Sequence, residues 1–168
     1  KGMCMHRIVY AFVCIVSLSI GYFGGQLSWP AKIEIQEQNE DDLNAFEQAM
    51  ELHRVLEAIC QVESNCDSNA IGDAGDAIGP FQIHHAYWYD AVEFSNDPYL
   101  TTGGYHDCFN YEYAYLIVLE YMNRYASDAL DPVDPEKIAR IHNGGPKGHK
   151  KQSTQKYWQK VKSVLGNS

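Results

Sequence analysis

Leu52-His53-Arg54-Val55-Leu56-Glu57-Ala58-Ile59-Cys60-Gln61-Val62-Glu63-Ser64-Asn65-Cys66 is the stretch on which the reading of this chain turns. Leu52, Leu56, Ile59 and Glu63 follow one another at spacings of four, three and four. Those intervals place side chains on one face of an α-helix. The pattern reaches back to about Asp42, with a candidate break at Ala49–Glu51. The spacing therefore predicts a helix over 42–64 that buries an apolar stripe and ends on a carboxylate.

An ionised carboxylate loses its hydration when buried, so burial penalises the charged form and raises the pKa. A glutamic acid that keeps its proton near neutral pH can deliver it to an acetal oxygen. Glu63 is thus a candidate general acid. The plainer reading of the same stripe sets Glu63 at the helix rim, solvated or paired with a cation.

Downstream, Ala70-Ile71-Gly72-Asp73-Ala74-Gly75-Asp76-Ala77-Ile78-Gly79 has short apolar arms around an Asp-Ala-Gly-Asp centre. Gly75 can supply a positive φ, and aspartates hydrogen-bond turn backbones, so the segment predicts a small hairpin flanked by Asp73 and Asp76. After Pro80, Phe81–Asp90 reads as a strand end entering a helix, and 93–107 reads as a loop. A helix over 109–127 places Ala114, Ile117, Val118, Tyr121 and Tyr125 on one face. Asp134-Pro135 has the form of an N-cap with proline at N1 and opens a helix through His142, which Asn143-Gly144-Gly145-Pro146 ends. From Thr154 a last helix turns Tyr157, Trp158, Val161, Val164 and Leu165 inward. The fold class expected is α+β, mainly helical, with one small β-hairpin.

The 168 residues carry a net charge of −9, which argues against nucleic acid as a partner. The charge is sorted along the chain. Glu34, Glu37, Glu40, Asp41, Asp42, Glu47 and Glu51 fall in a run without cations, and Lys147, Lys150, Lys151, Lys156, Lys160 and Lys162 in one without acids. Attraction to an anionic surface would have to come from the second run, although a solvated face is the plainer reading of both. Lys1, His6 and Arg7 precede an uncharged stretch, Ile8–Phe23, followed by Gly24 and Gly25. This reads as a signal peptide over 1–25, with a membrane anchor as the alternative. A polar arm over 26–50 and a catalytic domain over 51–168 complete the expected organisation. Localisation is expected to be extracellular, with no stable membrane partner once the leader is cleaved.

Cys60 and Cys66 are close enough to form a small staple in an oxidising compartment, which leaves Cys108 over. The sequence holds neither CxxC nor HExxH spacing, so no metal and no cofactor is expected. Twelve tyrosines and three tryptophans suit stacking on sugar rings, though most are expected to serve as ordinary core and surface residues.

Ile59–Cys66 resembles the catalytic-glutamate segment of the invertebrate-type lysozymes, including the destabilases. The resemblance extends through Gly79-Pro80-Phe81-Gln82-Ile83, Tyr87-Trp88, Tyr121–Tyr125, His142-Asn143-Gly144-Gly145-Pro146 and Tyr157-Trp158. It covers about residues 52–162, in order. It implies a lysozyme-like fold and hydrolysis of the β-1,4 bond between N-acetylmuramic acid and N-acetylglucosamine in bacterial cell-wall polysaccharide. Glu63 takes the place of the general acid. Asp73, in Asp73-Ala74-Gly75, is the better match for the second carboxylate, with Asp76 as the alternative. Gln82, Tyr87, Trp88, His142, Asn143, Gly144 and Gly145 are implied as cleft residues. The low cysteine count departs from the family and is similar to cysteine-poor lysozyme-like domains of bacteria and phages. Competing functions are a lytic transglycosylase, which would use Glu63 alone, and a non-catalytic wall-binding protein. His84 and His85 point apart as neighbours, so a solvated or singly bonded role is expected for each.

Overall fold

A computed structural model describes residues 38–166. The expected leader at 1–25 and the first part of the polar arm lie outside the described residues. Helix α1 runs over Gln38–Ser64 without the break expected at Ala49–Glu51. Ala, Met and Glu are all strong helix formers, and nothing there interrupts the backbone ladder. The first turn carries Glu40 and Asp41, where acids complement the helix dipole. Leu52, Val55, Leu56 and Ile59 are buried, as the stripe predicts, whereas most of 40–50 is exposed and extends beyond the core.

The C-terminus of α1 is strongly determined. Asn65 and Cys66 turn left-handed, at φ 57° and 59°. The Cys66 N–H donates to the Cys60 carbonyl at 3.1 Å, and a disulfide joins the same two residues. Such a turn satisfies carbonyls that the last helical turn leaves open.

The hairpin gains a third strand. β1 (Ile71–Gly72), β2 (Ala77–Ile78) and β3 (Ile83–His84) form an antiparallel sheet in that order, with Ile71 opposite Ile78 and Ile78 opposite Ile83. The Tyr105 hydroxyl, on a 3₁₀ turn at Tyr105–Phe109, closes the sheet by donating to the Ile83 carbonyl at 2.8 Å and the Asp76 carbonyl at 3.0 Å. Gly79 leaves β2 at φ +72°, and a Cβ there would lie 2.0 Å from the Cys108 carbonyl oxygen. Only glycine fits this approach.

Helix α2 (His85–Phe94) follows β3 directly. The expected loop at 93–107 contains a short helix, α3 (Pro98–Thr102), capped by Asp97, whose side chain accepts from the Tyr99 N–H. This is the same Asp-Pro device that correctly marks α5 (Pro135–Gly144), where Asp134 accepts from the Lys137 N–H. Helix α4 (Tyr111–Tyr125) buries Ala114, Ile117, Val118 and Tyr121 and packs on α2. Tyr87 stacks on Tyr121 with centroids 3.6 Å apart, and the Trp88 indole N–H donates to the Tyr113 hydroxyl. Helix α6 (Gln155–Leu165) packs along α1 and α5, inserting Tyr157 and Val161. The fold is mainly helical, as expected, with the small sheet following the end of α1.

Candidate active site

The last turn of α1 fixes Glu63, whose side chain is 19% exposed. Three elements converge on it. From α5, buried His142 brings Nε2 to 3.5 Å from Glu63 Oε1. The same nitrogen lies 3.2 Å from the Phe81 carbonyl oxygen, while Nδ1 lies 3.2 Å from the Tyr87 hydroxyl. A carbonyl can only accept, so Nε2 carries the hydrogen, and in the neutral ring Nδ1 accepts from Tyr87. The imidazole N–H is thereby shared between Phe81 and Glu63. From α6, Tyr157 and Lys160 also act on Glu63. The Tyr157 hydroxyl is buried and meets no partner in good hydrogen-bond geometry.

Burial is the largest influence on Glu63 and pushes its pKa up, but His142, Tyr157 and Lys160 together outweigh it. The carboxyl is held below its ordinary value, a correction to the upward shift expected from burial alone. The stripe identified the desolvation, while the three groups that oppose it come from 79 or more residues downstream.

The sheet is tied to this carboxylate through its neighbours. The Ser64 hydroxyl donates to the Pro80 carbonyl at 2.8 Å, next to the Phe81 carbonyl that His142 engages. The base of the β2–β3 turn is therefore gripped from both sides of Glu63. At the opposite end of the sheet, Gly75 takes φ 108°, as the turn composition predicts, and Asp73 and Ala74 also turn left-handed, at φ 46° and 58°. The Asp73 carboxylate is 70% exposed and pairs with His84 Nε2 at 2.9 Å. Asp76 is also exposed, and its carbonyl accepts from Tyr105. The singly bonded role expected of His84 is met by Asp73, a partner the sequence did not indicate.

The other residues that the resemblance implied as lining a cleft divide by position. Gln82, at φ 48°, donates its amide to the Gly79 carbonyl at 2.9 Å and packs against Gly72. Tyr87 reaches the site through His142, and burial pushes its hydroxyl well above the usual tyrosine range. Trp88 is half-buried beside His85 and Tyr105. Asn143 is exposed one residue beyond His142. Gly144 packs against the Thr154 methyl, and Gly145 caps α5 at φ +77°. Helix termination and packing account for both glycines. Cys108 is a buried free thiol, pushed by burial to about 12.

Sequence reasoning missed Tyr157, Lys160 and His84 as neighbours of the two carboxylates. The sequence marks Tyr157 as inward-facing and as part of the Tyr157-Trp158 block of the resemblance, without a role at Glu63, and Lys160 only as one of a charged run.

The destabilase family profile matches residues 52–164. A lysozyme of Meretrix lusoria is 39% identical over 116 residues, covering 67% of this chain and 89% of the relative. A lysozyme of Magallana gigas is 39% identical over 111 residues, covering 63% and 74%. A crystal structure of Meretrix lusoria lysozyme in complex with Aeromonas hydrophila PliI superposes with a TM-score of 0.55 at 38% identity, covering 67% of this chain and 89% of that one.

Proposed function

The chain belongs to the destabilase family of invertebrate-type lysozymes, and we propose that Glu63 is its proton donor and Asp73 the carboxylate that meets the developing positive charge. The protein is an enzyme, a glycoside hydrolase of the muramidase type, acting on the β-1,4 bond between N-acetylmuramic acid and N-acetylglucosamine in peptidoglycan. Secretion through a leader at 1–25 completes the proposal.

The observation that carries the assignment of Glu63 is its seating. One carboxyl, mostly withdrawn from water, faces a shared imidazole N–H and a buried hydroxyl with no other partner. In its acid form Glu63 gives its proton to the glycosidic oxygen as the C1–O bond breaks. His142 and Tyr157 stabilise the carboxylate left behind, which raises the driving force of that transfer and lowers the protonated fraction at neutral pH. Asp73, exposed at the hairpin tip with its charge oriented by His84, is free to face an oxocarbenium-like sugar, as the second carboxylate of a glycosidase must. Water then attacks, with the Glu63 carboxylate accepting its proton.

Clearing of a bacterial cell-wall suspension tests the assignment. Glu63→Gln is expected to slow clearing by about 10²- to 10⁴-fold, the usual contribution of general acid catalysis. Asp73→Asn is expected to slow it strongly and Asp76→Asn little. Undiminished clearing by Glu63→Gln rejects the proton donor, and full activity of Asp73→Asn with anhydro-muramic products rejects the hydrolytic role of Asp73.

A further inference from the structure

His142 links the Glu63 carboxylate to the hairpin through a side chain that is 4% exposed. Its two nitrogens face different ways. Nε2 lies 3.5 Å from Glu63 Oε1 and 3.2 Å from the Phe81 carbonyl oxygen, and Nδ1 lies 3.2 Å from the Tyr87 hydroxyl. An imidazole turned over about its Cβ–Cγ bond would present carbon at both places. The ring therefore serves Glu63 in one orientation only, and the Tyr87 hydroxyl selects it from the edge remote from the carboxylate. With the hydrogen on Nε2, Nδ1 is an acceptor and the hydroxyl is its donor.

Tyr87 is itself held in place. It belongs to α2, its ring stacks on Tyr121 of α4 at an interplanar angle of 13°, and it meets the His142 ring edge-on at 5.4 Å. Two further bonds tie α2 to α4: the Trp88 indole donates to the Tyr113 hydroxyl at 3.0 Å, and Arg124 to the Asp90 carbonyl at 2.6 Å. The hydroxyl is thus carried on a packed helix, as a support for a reacting group should be. Tyr157 and Lys160 face Glu63 from α6, and Tyr121 and Cys108 act on the Tyr87 hydroxyl. Burial pushes both Tyr121 and Cys108 upward, so they stay neutral through the acid and neutral range. A donor on Nδ1 draws electron density from the ring and makes Nε2–H the stronger donor, because hydrogen bonds in series reinforce one another.

We propose that Tyr87 is a positioning residue for proton delivery: by donating to His142 Nδ1 it fixes the edge of the imidazole that meets Glu63 and strengthens the N–H that the carboxylate receives. The proposal rests on Glu63 as proton donor and adds the group that acts on it from behind His142. Tyr87→Phe keeps the stacked ring and removes the donor. Glu63 then holds its proton more tightly, and the pH above which kcat/KM declines moves up by roughly 0.1 to 0.7 pH units. A ring-fluorinated tyrosine at position 87 has a more acidic hydroxyl, donates more strongly and moves the same limb down. KM stays at the wild-type value in both, because Tyr87 works through His142 and not on the substrate.

The experiment reads two quantities in wild type and both variants: the pH profile of kcat/KM on soluble cell-wall glycan fragments, and the carbon NMR titration of the Glu63 carboxyl, identified by its loss in Glu63→Gln. Opposite displacements of the titration in the two variants, followed by the kcat/KM limb at unchanged KM, are expected. A titration and a limb left in place by both variants, or moved the same way by both, overturn the proposal and leave the donor assignment standing. A raised KM with an unmoved limb also overturns it and makes Tyr87 a substrate contact. Wild-type clearing of cell walls by Glu63→Gln overturns the donor assignment instead, and with it the part of the proposal that concerns proton delivery.

Discussion

Replacing Tyr157 with Phe removes one oxygen and leaves the ring that fills the space between α6 and α1. The hydroxyl is buried without a partner in good geometry, yet it helps to hold Glu63 in its ionised form. Two outcomes of opposite sign follow from those facts. If the hydroxyl is idle, its removal relieves a desolvation penalty of about 1–3 kcal/mol and stabilises the fold at every pH. If it supports the carboxylate, its loss costs stability only where Glu63 is charged. Glu63 has a depressed folded-state pKa, so its contribution is fully present above the unfolded value of about 4.3 and is lost as pH falls through the folded value. Hydrogen bonds to charged groups contribute about 1.5–3 kcal/mol, and imperfect geometry sets the expectation at the lower end. Denaturant unfolding at pH 7 is therefore expected to show Tyr157→Phe less stable than wild type by about 1.5 kcal/mol. The gap should close in acid. In the same variant, the pH above which kcat/KM for cell-wall fragments declines is expected to move upward, because Glu63 holds its proton more tightly. A variant that is more stable at both pH values, with an unmoved activity limb, would refute the coupling between Tyr157 and Glu63.

Two further outcomes follow from the same geometry. Because His142, Tyr157 and Lys160 hold Glu63 below its ordinary value, wild-type kcat/KM should fall as pH rises through the acidic range, giving an acid optimum in clearing assays; a profile flat to neutral pH contradicts the assignment of Glu63 as donor. Gly79→Ala combines a positive φ with a Cβ 2.0 Å from the Cys108 carbonyl, so it should cost about 2–4 kcal/mol in thermal or denaturant unfolding. It should also lower activity by shifting the hairpin that carries Asp73.

Much of the fold was legible because its devices are local. The 4-3-4 spacing in α1, the Asp134-Pro135 cap and the glycine-centred turn each act within a few residues, and each forms where its pattern stands. The missed helix α3 had the same Asp-Pro cap in Asp97-Pro98, outweighed in the reading by Asn96, Gly103 and Gly104. The third strand was harder to see. β3 is two residues long, too short to show an alternation, and it depends on β2 and on Tyr105 from more than twenty residues away.

The electrostatics of the site were not legible, for a reason that also explains its chemistry. A stripe reports which face of a helix is withdrawn from water, so it predicts the desolvation of Glu63 and nothing of what stands opposite. His142, Tyr157 and Lys160 are 79 to 97 residues away in sequence, and only the packing of α5 and α6 against α1 brings them to the carboxylate. Their combined effect reverses the sign expected from burial. A carboxyl that was only buried would hold its proton at neutral pH and part with it reluctantly. One that is buried and also met by an imidazole N–H, a hydroxyl and a nearby ammonium gives the proton up readily once it has it. The proton must then come from acidic surroundings, or from neutralisation of those partners when substrate binds.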